Sequence, residues 1–431
     1  MLTREENDLV TRVGPGTPLG DTLRRYWMPV CTSEQISGPD SPPLRVRLLG
    51  ESFIAFRDTS GKVGVLDELC MHRGASLALG RVEDCGIRCL YHGWKFAVDG
   101  TILETPNHGD PAFRARQKAR AWPVREAGDM IWTYLGPGEK EPPFTRYRFM
   151  DVPAGNRTVV RINVNANYLQ LWEGGADSSH VGILHSDMAR PGWVDKTFQS
   201  AGDVMNPGTL VSDDMSPRLE LEDTEFGFHY AAWRKTGRKD KDGVDLENCR
   251  IVPLIMPWTR IIPSPTSYYT VFEVATDDEN TATYIVVDSL VQAVDRDRII
   301  RILGLDDPRF YDPASCDFLV TAKTIWGQDR EQMKANWTGL RGLEQEDAVM
   351  SMSMGPIMDR TKEHLVTADR AVMRLRRRIL ENIRRVKQGN DAMGAALADL
   401  SGLVATDVDL PAGSRWQEAA MGNVEFASAA D

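Results

Sequence analysis

Two cysteine–histidine pairs lie close together in the first quarter of the chain, as Cys70-Met-His72 and Cys89-Leu-Tyr-His92. A structural zinc ion bound by two Cys and two His is one interpretation of this set. A Rieske [2Fe–2S] cluster is the other, because two thiolates hold one of its irons and two imidazoles the other. Each loop offers one thiolate and one imidazole, so both loops can reach across a two-iron cluster. Cys85 lies four residues before Cys89 and is either a competing ligand or a bystander thiol.

A second group of candidate ligands follows about ninety residues later, around His180 and His185. Two histidines close together and one distant carboxylate are the usual ligands of a non-haem Fe(II) that keeps open positions for dioxygen and substrate. Residues five apart lie about 140° apart on a regular helix of 3.6 residues per turn. We therefore predict a helix end or a distortion that brings the two imidazoles together. The carboxylate must come from elsewhere in the chain.

Both groups stand in longer stretches that resemble one protein family. The segments CMHRGASLALG and RCLYHGWKFAVDG resemble the Rieske domain of the aromatic-ring-hydroxylating oxygenases. LEQEDAVMSMSMGPIMDRTKEHLVTAD, at 343–369, is similar to the C-terminal signature of the phthalate dioxygenase-like members. The resemblance covers nearly the whole chain. It implies that Cys70 and Cys89 ligate one iron of the cluster, and His72 and His92 the other.

The resemblance also implies how the second metal is held. Asp347 is the expected carboxylate ligand beside the two histidines of the second group, and Glu346 and Glu173 are the alternatives. The family forms head-to-tail homotrimers, some of them stacked into hexamers. There an Asp in the position of Asp177 bridges a Rieske His of the neighbouring chain to an iron-ligand His. In a monomer, helix capping would be the expected role of Asp177.

The reaction and its partners are further implications. No nicotinamide or flavin fingerprint occurs in the chain, so electrons must arrive from a separate protein. The resemblance implies an NADH-dependent reductase with flavin and [2Fe–2S] centres, and cis-dihydroxylation by dioxygen of an aromatic carboxylate such as phthalate or a chlorobenzoate. An anionic substrate needs arginines, for which the candidates are Arg250, Arg234 and Arg218.

Three other functions remain open at this point. The first is a Rieske O-demethylase or monooxygenase that acts on a methoxylated or other aromatic ring. The second is a non-catalytic Rieske electron carrier, although some 290 residues and a second ligand set beyond the cluster loops argue against it. The third is a zinc-binding interaction protein.

The pattern of elements around these residues predicts an α+β fold. Short alternating strands with turn signals over 27–140 predict an antiparallel β Rieske domain. Before it, 1–26 reads as a helical segment that packs with the catalytic domain. The catalytic domain itself is expected over 145–390, as an antiparallel sheet covered by helices, with a helix at 369–388. Residues 391–431 read as a C-terminal tail.

Composition narrows the class of protein further. The chain has 431 residues, enough for two or three domains, and 51 Lys and Arg against 62 Asp and Glu give a net charge of −11. This excess of acid argues against a generic binder of nucleic acid or of an anionic membrane. Six cysteines are too few for a disulfide scaffold. With no signal peptide or long apolar run recognised, the expected location is the cytoplasm.

Overall fold

The structure is a computed structural model that describes residues 1–186, 214–264 and 267–421. The chain forms two compact units, of which the smaller comprises 12–144 and 274–278. The larger comprises the rest of the chain, including helix α1 (Arg4–Thr11). None of the helices in the described ranges is long and apolar enough to cross a bilayer.

Of the segment 1–26, which was expected to pack with the catalytic domain, the division assigns only 1–11 to the larger unit. Helix α1 belongs to the larger unit because Asn167 donates a hydrogen bond to the Thr11 carbonyl at 2.9 Å. Residues 12–26 belong to the smaller unit. There the backbone N–H of Val13 donates to Asp278 at 2.8 Å.

The smaller unit consists mainly of short antiparallel strands. Its elements are α2 (Pro18–Leu23), β1 (Trp27–Thr32), β2 (Leu44–Leu48), β3 (Glu51–Arg57), β4 (Val63–Asp67), β5 (Arg81–Glu83), β6 (Gly86–Arg88), β7 (Lys95–Phe96), β8 (Ile102–Glu104), α3 (Pro111–Arg116), β9 (Ala121–Trp122), β10 (Val124–Ala127) and β11 (Met130–Tyr134). They form three sheets, ordered β1-β11-β10, β2-β3-β4-β9 and β5-β6-β7-β8. The two cysteine–histidine loops connect β4 to β5 and β6 to β7, and both cysteines lie in the unit's apolar core.

The larger unit is built on one long sheet. Its strands are β12 (Arg157–Val164), β13 (Arg218–Asp223), β14 (Gly227–Lys239), β15 (Asp245–Ile255), β16 (Thr259–Pro263), β17 (Tyr268–Ala275), β18 (Thr281–Asp288), β19 (Tyr311–Asp312), β20 (Asp317–Phe318) and β21 (Thr406–Pro411). In the described ranges the sheet order is β13-β14-β15-β16-β17-β18-β12-β20-β19, with β21 also paired to β15. The pairs other than β17 with β18 are antiparallel, except that β12 and β20 are parallel.

Helices cover this sheet, as expected for the α+β class. They are α4 (Tyr168–Ala176), α5 (Arg296–Leu303), α6 (Leu343–Ser353), α7 (Arg370–Lys387) and α8 (Trp416–Met421). Residues of α5 and α6 share one apolar core with β12, β17 and β18. The helix predicted at 369–388 is confirmed as α7. The antiparallel strands of the smaller unit and the helix-covered sheet of the larger one, both part of the predicted fold class, are also confirmed.

The prediction that 391–431 is a tail is wrong for part of that range. Strand β21 pairs antiparallel with β15 from Leu246↔Pro411 to Ile251↔Thr406. Trp416, in α8, is 2% exposed and packs in a core with Trp233 of β14. Since both elements bury apolar side chains against the sheet, they are part of the larger unit. Residues 422–431 lie outside the described ranges.

Candidate metal centres

The two cysteine–histidine loops of the smaller unit have the same backbone hydrogen bonds. In each loop the cysteine N–H donates to the carbonyl five residues later, at 2.8 Å. The N–H of the glycine four residues after the cysteine donates back to the cysteine carbonyl, at 2.8 Å for Gly74 and 2.9 Å for Gly93. Both glycines have left-handed backbones, with φ of +71° and +75°, which explains the residue type. The sequence therefore builds one turn twice, with a thiol at the start of each copy.

The four candidate ligands converge between these two turns. Cys70 and Cys89 are 3% and 2% exposed, whereas the rings of His72 and His92 are partly exposed with their centroids 4.5 Å apart. Trp94 stacks on the His72 ring at 4.6 Å with an interplanar angle of 3°. Burial, with the neighbouring Cys89, raises the pKa of Cys70 to about 11, so a thiolate here needs a compensating cation. Two buried thiols and two outer imidazoles fit a two-iron cluster.

Cys85 occupies a different kind of position. It lies in the two-residue turn between β5 and β6, with a left-handed backbone of φ +59° and an exposed side chain. Its N–H donates to the Thr59 hydroxyl at 2.9 Å. This geometry favours the bystander interpretation of Cys85.

A second candidate centre forms where helix α4 ends in the larger unit. The helix stops at Asp177, its C-cap, and a short 3-10 turn over His180–Gly182 follows. This break is the helix end that the five-residue histidine spacing predicts. The ligand atoms of His180, His185 and Asp347 lie within 4.8 Å of one another. The two Nε2 atoms are 3.7 Å and 3.2 Å from one Asp347 oxygen, Oδ1.

Each of these histidines has a second carboxylate at its other ring nitrogen. His185 Nδ1 lies 2.7 Å from Glu346, whose other oxygen accepts the Thr338 hydroxyl at 2.6 Å. His180 Nδ1 lies 3.5 Å from Asp177. Carboxylates at Nδ1 orient the rings and leave Nε2 for a metal. Glu346, an alternative ligand from the sequence, thus contacts the outer nitrogen of His185.

The charges at this site favour a bound cation. Burial opposes the charged imidazolium, but Asp347 and Glu346 outweigh it and raise the pKa of His185 to about 10. Burial likewise opposes ionisation of Asp347, yet His185 holds its pKa at about 2. Two imidazoles and one carboxylate are the donor set of a facial non-haem iron site. The residues present therefore fit Fe(II).

The other alternative ligand, Glu173, lies elsewhere. Its buried carboxylate accepts hydrogen bonds from Arg360 at 2.8 to 3.1 Å and from Arg376 at 2.5 Å. Although burial opposes ionisation, the two arginines hold the pKa of Glu173 below its usual value. Glu173 thus joins α4 to α7. The structure does not bring it to the triad formed by His180, His185 and Asp347.

A cavity adjoins the triad between the sheet and α6. Residues lining both this cavity and a wider cleft of about 540 Å³ are Gly174, Asp177, His180, Arg260, Glu344 and Asp347. The volume of the cleft lies in the range of small-molecule sites. The triad therefore stands at the wall that the inner cavity and the cleft share.

The three arginines predicted from the sequence have different positions. Arg250 is 3% exposed, lines the inner cavity and forms an ion pair with Asp407 at 3.1 Å. Arg218 does not line the inner cavity. This residue lies on strand β13 and forms an exposed ion pair with Glu220. Arg234 does not line it either. It is buried and donates to the carbonyl and hydroxyl of Ser178, next to Asp177.

Sequence reasoning missed Arg260, which lines both the cavity and the cleft. It is 5% exposed and pairs with Glu273 at 2.5 Å. Its side chain crosses α4 at Gly175, where an added Cβ would lie 2.1 Å from the Arg260 Cδ. The available signal was a lone arginine in the otherwise uncharged strand Thr-Arg-Ile-Ile-Pro. Glu344, on α6, was missed as well and offered no distinguishing signal.

Comparisons with known proteins match both units. The family model described as "Rieske [2Fe-2S] domain" matches residues 26–120, and "LigXa C-terminal domain like" matches 133–430. The phthalate 4,5-dioxygenase oxygenase subunit of Pseudomonas putida is 35% identical over 95% of this chain and 94% of its own length. The 3-chlorobenzoate-3,4-dioxygenase oxygenase subunit of Comamonas testosteroni is 31% identical over 89% of each chain.

Solved structures agree on the fold. The structure of the NdmA QL mutant with theobromine, from Pseudomonas putida CBB5, has a TM-score of 0.57 at 18% identity. It covers 92% of this chain and 99% of that one. The cofactors are accordingly a Rieske [2Fe–2S] cluster and a mononuclear non-haem iron, with dioxygen as co-substrate. The chain belongs to the Rieske non-haem iron aromatic-ring-hydroxylating oxygenases, as a phthalate dioxygenase-like oxygenase subunit.

Proposed function

We propose that this enzyme inserts both atoms of dioxygen into an aromatic carboxylate, giving a cis-dihydrodiol. Two electrons would come from NADH through a separate reductase with flavin and [2Fe–2S] centres. The observation that carries the substrate class is Arg250, a buried guanidinium in the same cavity as the His180, His185 and Asp347 triad. The two relatives above, which act on phthalate and 3-chlorobenzoate by name, support an aromatic acid.

Arg250 is suited to bind a carboxylate even though it is already paired. Asp407 takes its Nη1 donor, while its buried Nε has no hydrogen-bond partner among the described residues. A guanidinium offers five N–H donors in a fixed fork, so one buried acid does not exhaust it. Asp407 also keeps the charge of Arg250 compensated when no anion is bound.

The two proposed metal sites have different functions in the reaction, electron transfer and dioxygen activation. Cys70, Cys89, His72 and His92 would hold the cluster, and His180, His185 and Asp347 the iron. When bound, these groups supply one-electron transfer and the activation of dioxygen. The chain's own contribution is to orient His185 through Glu346 and His180 through Asp177, and to hold the ring beside them.

A head-to-tail homotrimer is part of the proposal. Large apolar side chains are exposed around the cluster ligands, at Leu69, Met71, Leu90 and Tyr91. A second exposed apolar group borders the cleft beside the triad, at Ile183, Trp337, Met350 and Met354. The patch at the cluster of one chain can bind the patch at the cleft of the next chain. Repeating this contact around three chains closes a ring. Asp177, at the triad, would then connect His180 to a Rieske histidine of the next chain.

A substrate panel tests the proposed reaction. The reconstituted enzyme is supplied with a surrogate reductase and NADH, and dioxygen uptake and products are measured with benzoates, phthalates and neutral rings. We expect aromatic acids to stimulate uptake with one dihydrodiol formed per dioxygen. Uptake stimulated by methoxylated rings with release of formaldehyde would identify an O-demethylase instead. An Arg250→Gln variant should lose at least tenfold in affinity for the acids.

A further inference from the structure

Glu344 is an unusual carboxylate at the wall of the substrate cavity. It lies on α6 one turn before Asp347, is 5% exposed, and lines both the inner cavity and the cleft. It forms no hydrogen bond and no ion pair with any residue in the described ranges. A carboxyl group so buried normally has a partner, because burying it without one costs free energy.

The next two residues on the helix, Gln345 and Glu346, both have hydrogen-bond partners. The Gln345 amide donates to the Gly304 carbonyl and accepts the Arg341 N–H. Glu346 is held by His185 and Thr338. Glu344 differs from them in that it lines the cavity and has no hydrogen-bond partner among the described residues.

The guanidinium nearest along the cavity wall is already paired with another carboxylate. Arg260, the guanidinium that lines the same wall, is paired with buried Glu273 at 2.5 Å. Burial and the negative charges of Asp347 and Glu273 raise the pKa of Glu344, while Arg260 opposes this. Because Arg260 is already paired with Glu273, an uncharged hydrogen-bonding group suits Glu344 better as a partner than a second carboxylate does.

We propose that Glu344 is a specificity-determining residue that binds an uncharged hydrogen-bonding substituent of the substrate ring, such as a phenolic hydroxyl. This inference rests on the proposed aromatic-acid substrate, whose carboxylate Arg250 binds from β15. A hydroxyl can donate to the carboxyl of Glu344 or accept from it, so the contact forms in either protonation state. The preferred substrate is then a hydroxybenzoate-type monoanion rather than a dicarboxylate.

Binding measurements on the metal-loaded full chain test this without turnover. Dissociation constants are measured by calorimetry for benzoate, its three monohydroxy derivatives and phthalate, with wild type, Glu344→Leu and Glu344→Gln. We expect at least one hydroxybenzoate to bind wild type about tenfold more tightly than benzoate, the size of one good hydrogen bond to a carboxyl group. Glu344→Leu should reduce that preference to less than threefold, whereas Glu344→Gln, which keeps a donor and an acceptor, should retain it.

Benzoate serves as the internal control, because a general loss of structure would weaken all the ligands together. Iron content and the visible spectrum of the cluster check that each variant is loaded. A hydroxyl preference that is absent in wild type, or unchanged in Glu344→Leu while benzoate still binds, overturns the role of Glu344 alone. If wild type binds none of the acids, the aromatic-acid proposal fails and this inference with it.

Discussion

At the scale of single residues, Asp177 is where the proposed link between subunits can be tested. Its carboxylate accepts the Ser179 N–H at 2.8 Å and hydroxyl at 2.6 Å, and faces His180 at 3.5 Å. Asp177→Asn keeps the shape and the local turn but removes the negative charge beside the His180 imidazole. We expect both metals to stay bound while steady-state dihydroxylation falls at least a hundredfold. Metal analysis checks that both metals stay bound. Rapid-mixing kinetics of cluster oxidation measure how far electron transfer to the iron has slowed.

Glu346→Gln is the matched control, because it changes the equivalent carboxylate on His185. Glu346 is 3% exposed and has no proposed partner in another subunit. Its loss should lower iron affinity about 10- to 100-fold, as for other carboxylates behind metal-binding histidines, without slowing transfer in the molecules that retain iron. Normal rates of cluster oxidation in Asp177→Asn would contradict the bridging role.

The residues predictable from sequence share one property, which is local spacing. Cys70, His72, Cys89 and His92 occur within 23 positions, and the histidines of the iron site within six. Arg260 and Glu344 come from a strand and a helix far apart in sequence. Each looks ordinary within its own segment, and only the tertiary fold brings them to one cavity wall.

At the scale of elements, the last turn of α4 is closely packed on one side and open on the other. A Cβ at Gly175 would meet the Arg260 side chain at 2.1 Å, whereas one at Gly174 meets nothing within 4 Å. Gly175→Ala must therefore displace Arg260 from the cavity wall and strain its pair with Glu273. We expect a loss of about 1–3 kcal/mol in unfolding free energy, measured by denaturant titration.

Gly174→Ala is the neighbouring control in the same helix. Alanine there gains helix propensity and clashes with nothing, so its unfolding free energy should stay equal or rise by up to about 1 kcal/mol. Equal stability of the two alanine variants would contradict this. It would show that the Arg260 side chain can move away from a Cβ at Gly175 without a cost in unfolding free energy.

Element prediction succeeded where the pattern is local and failed where the partner is distant. The apolar repeat of α7 and the break after α4 can be derived from spacing alone. Strand β21 was missed, although Val408 and Leu410 alternate with acids, because its partner β15 lies about 160 residues earlier. The boundary near residue 12 depends on hydrogen bonds to Asn167 and Asp278, which no local pattern indicates.

At the scale of the whole molecule, head-to-tail assembly predicts that two inactive chains can complement each other. Cys89→Ser removes a proposed cluster ligand from the smaller unit, and Asp347→Ala removes a proposed iron ligand from the larger unit. Each variant alone should be inactive. In co-expressed mixed trimers, about one junction in three places an intact cluster beside an intact iron site, so about a third of wild-type activity should return.

The measurement is dihydroxylation by purified mixed trimers that carry two different affinity tags. Each single variant must also form trimers, which size-exclusion chromatography checks. Mixed trimers without activity would mean that electrons pass within a chain, and would contradict the proposed assembly.

The ion pair between Arg250 and Asp407 has a consequence for the order of folding. Its partners are 157 positions apart, and Asp407 belongs to the last strand added to the sheet along the chain. The chain emerges N-terminus first during synthesis, so Asp347 becomes available 60 residues before Asp407. The metal ligands of the larger unit can therefore be assembled while Arg250 still lacks its buried partner. Competence to bind an aromatic acid is among the last properties the folding chain acquires.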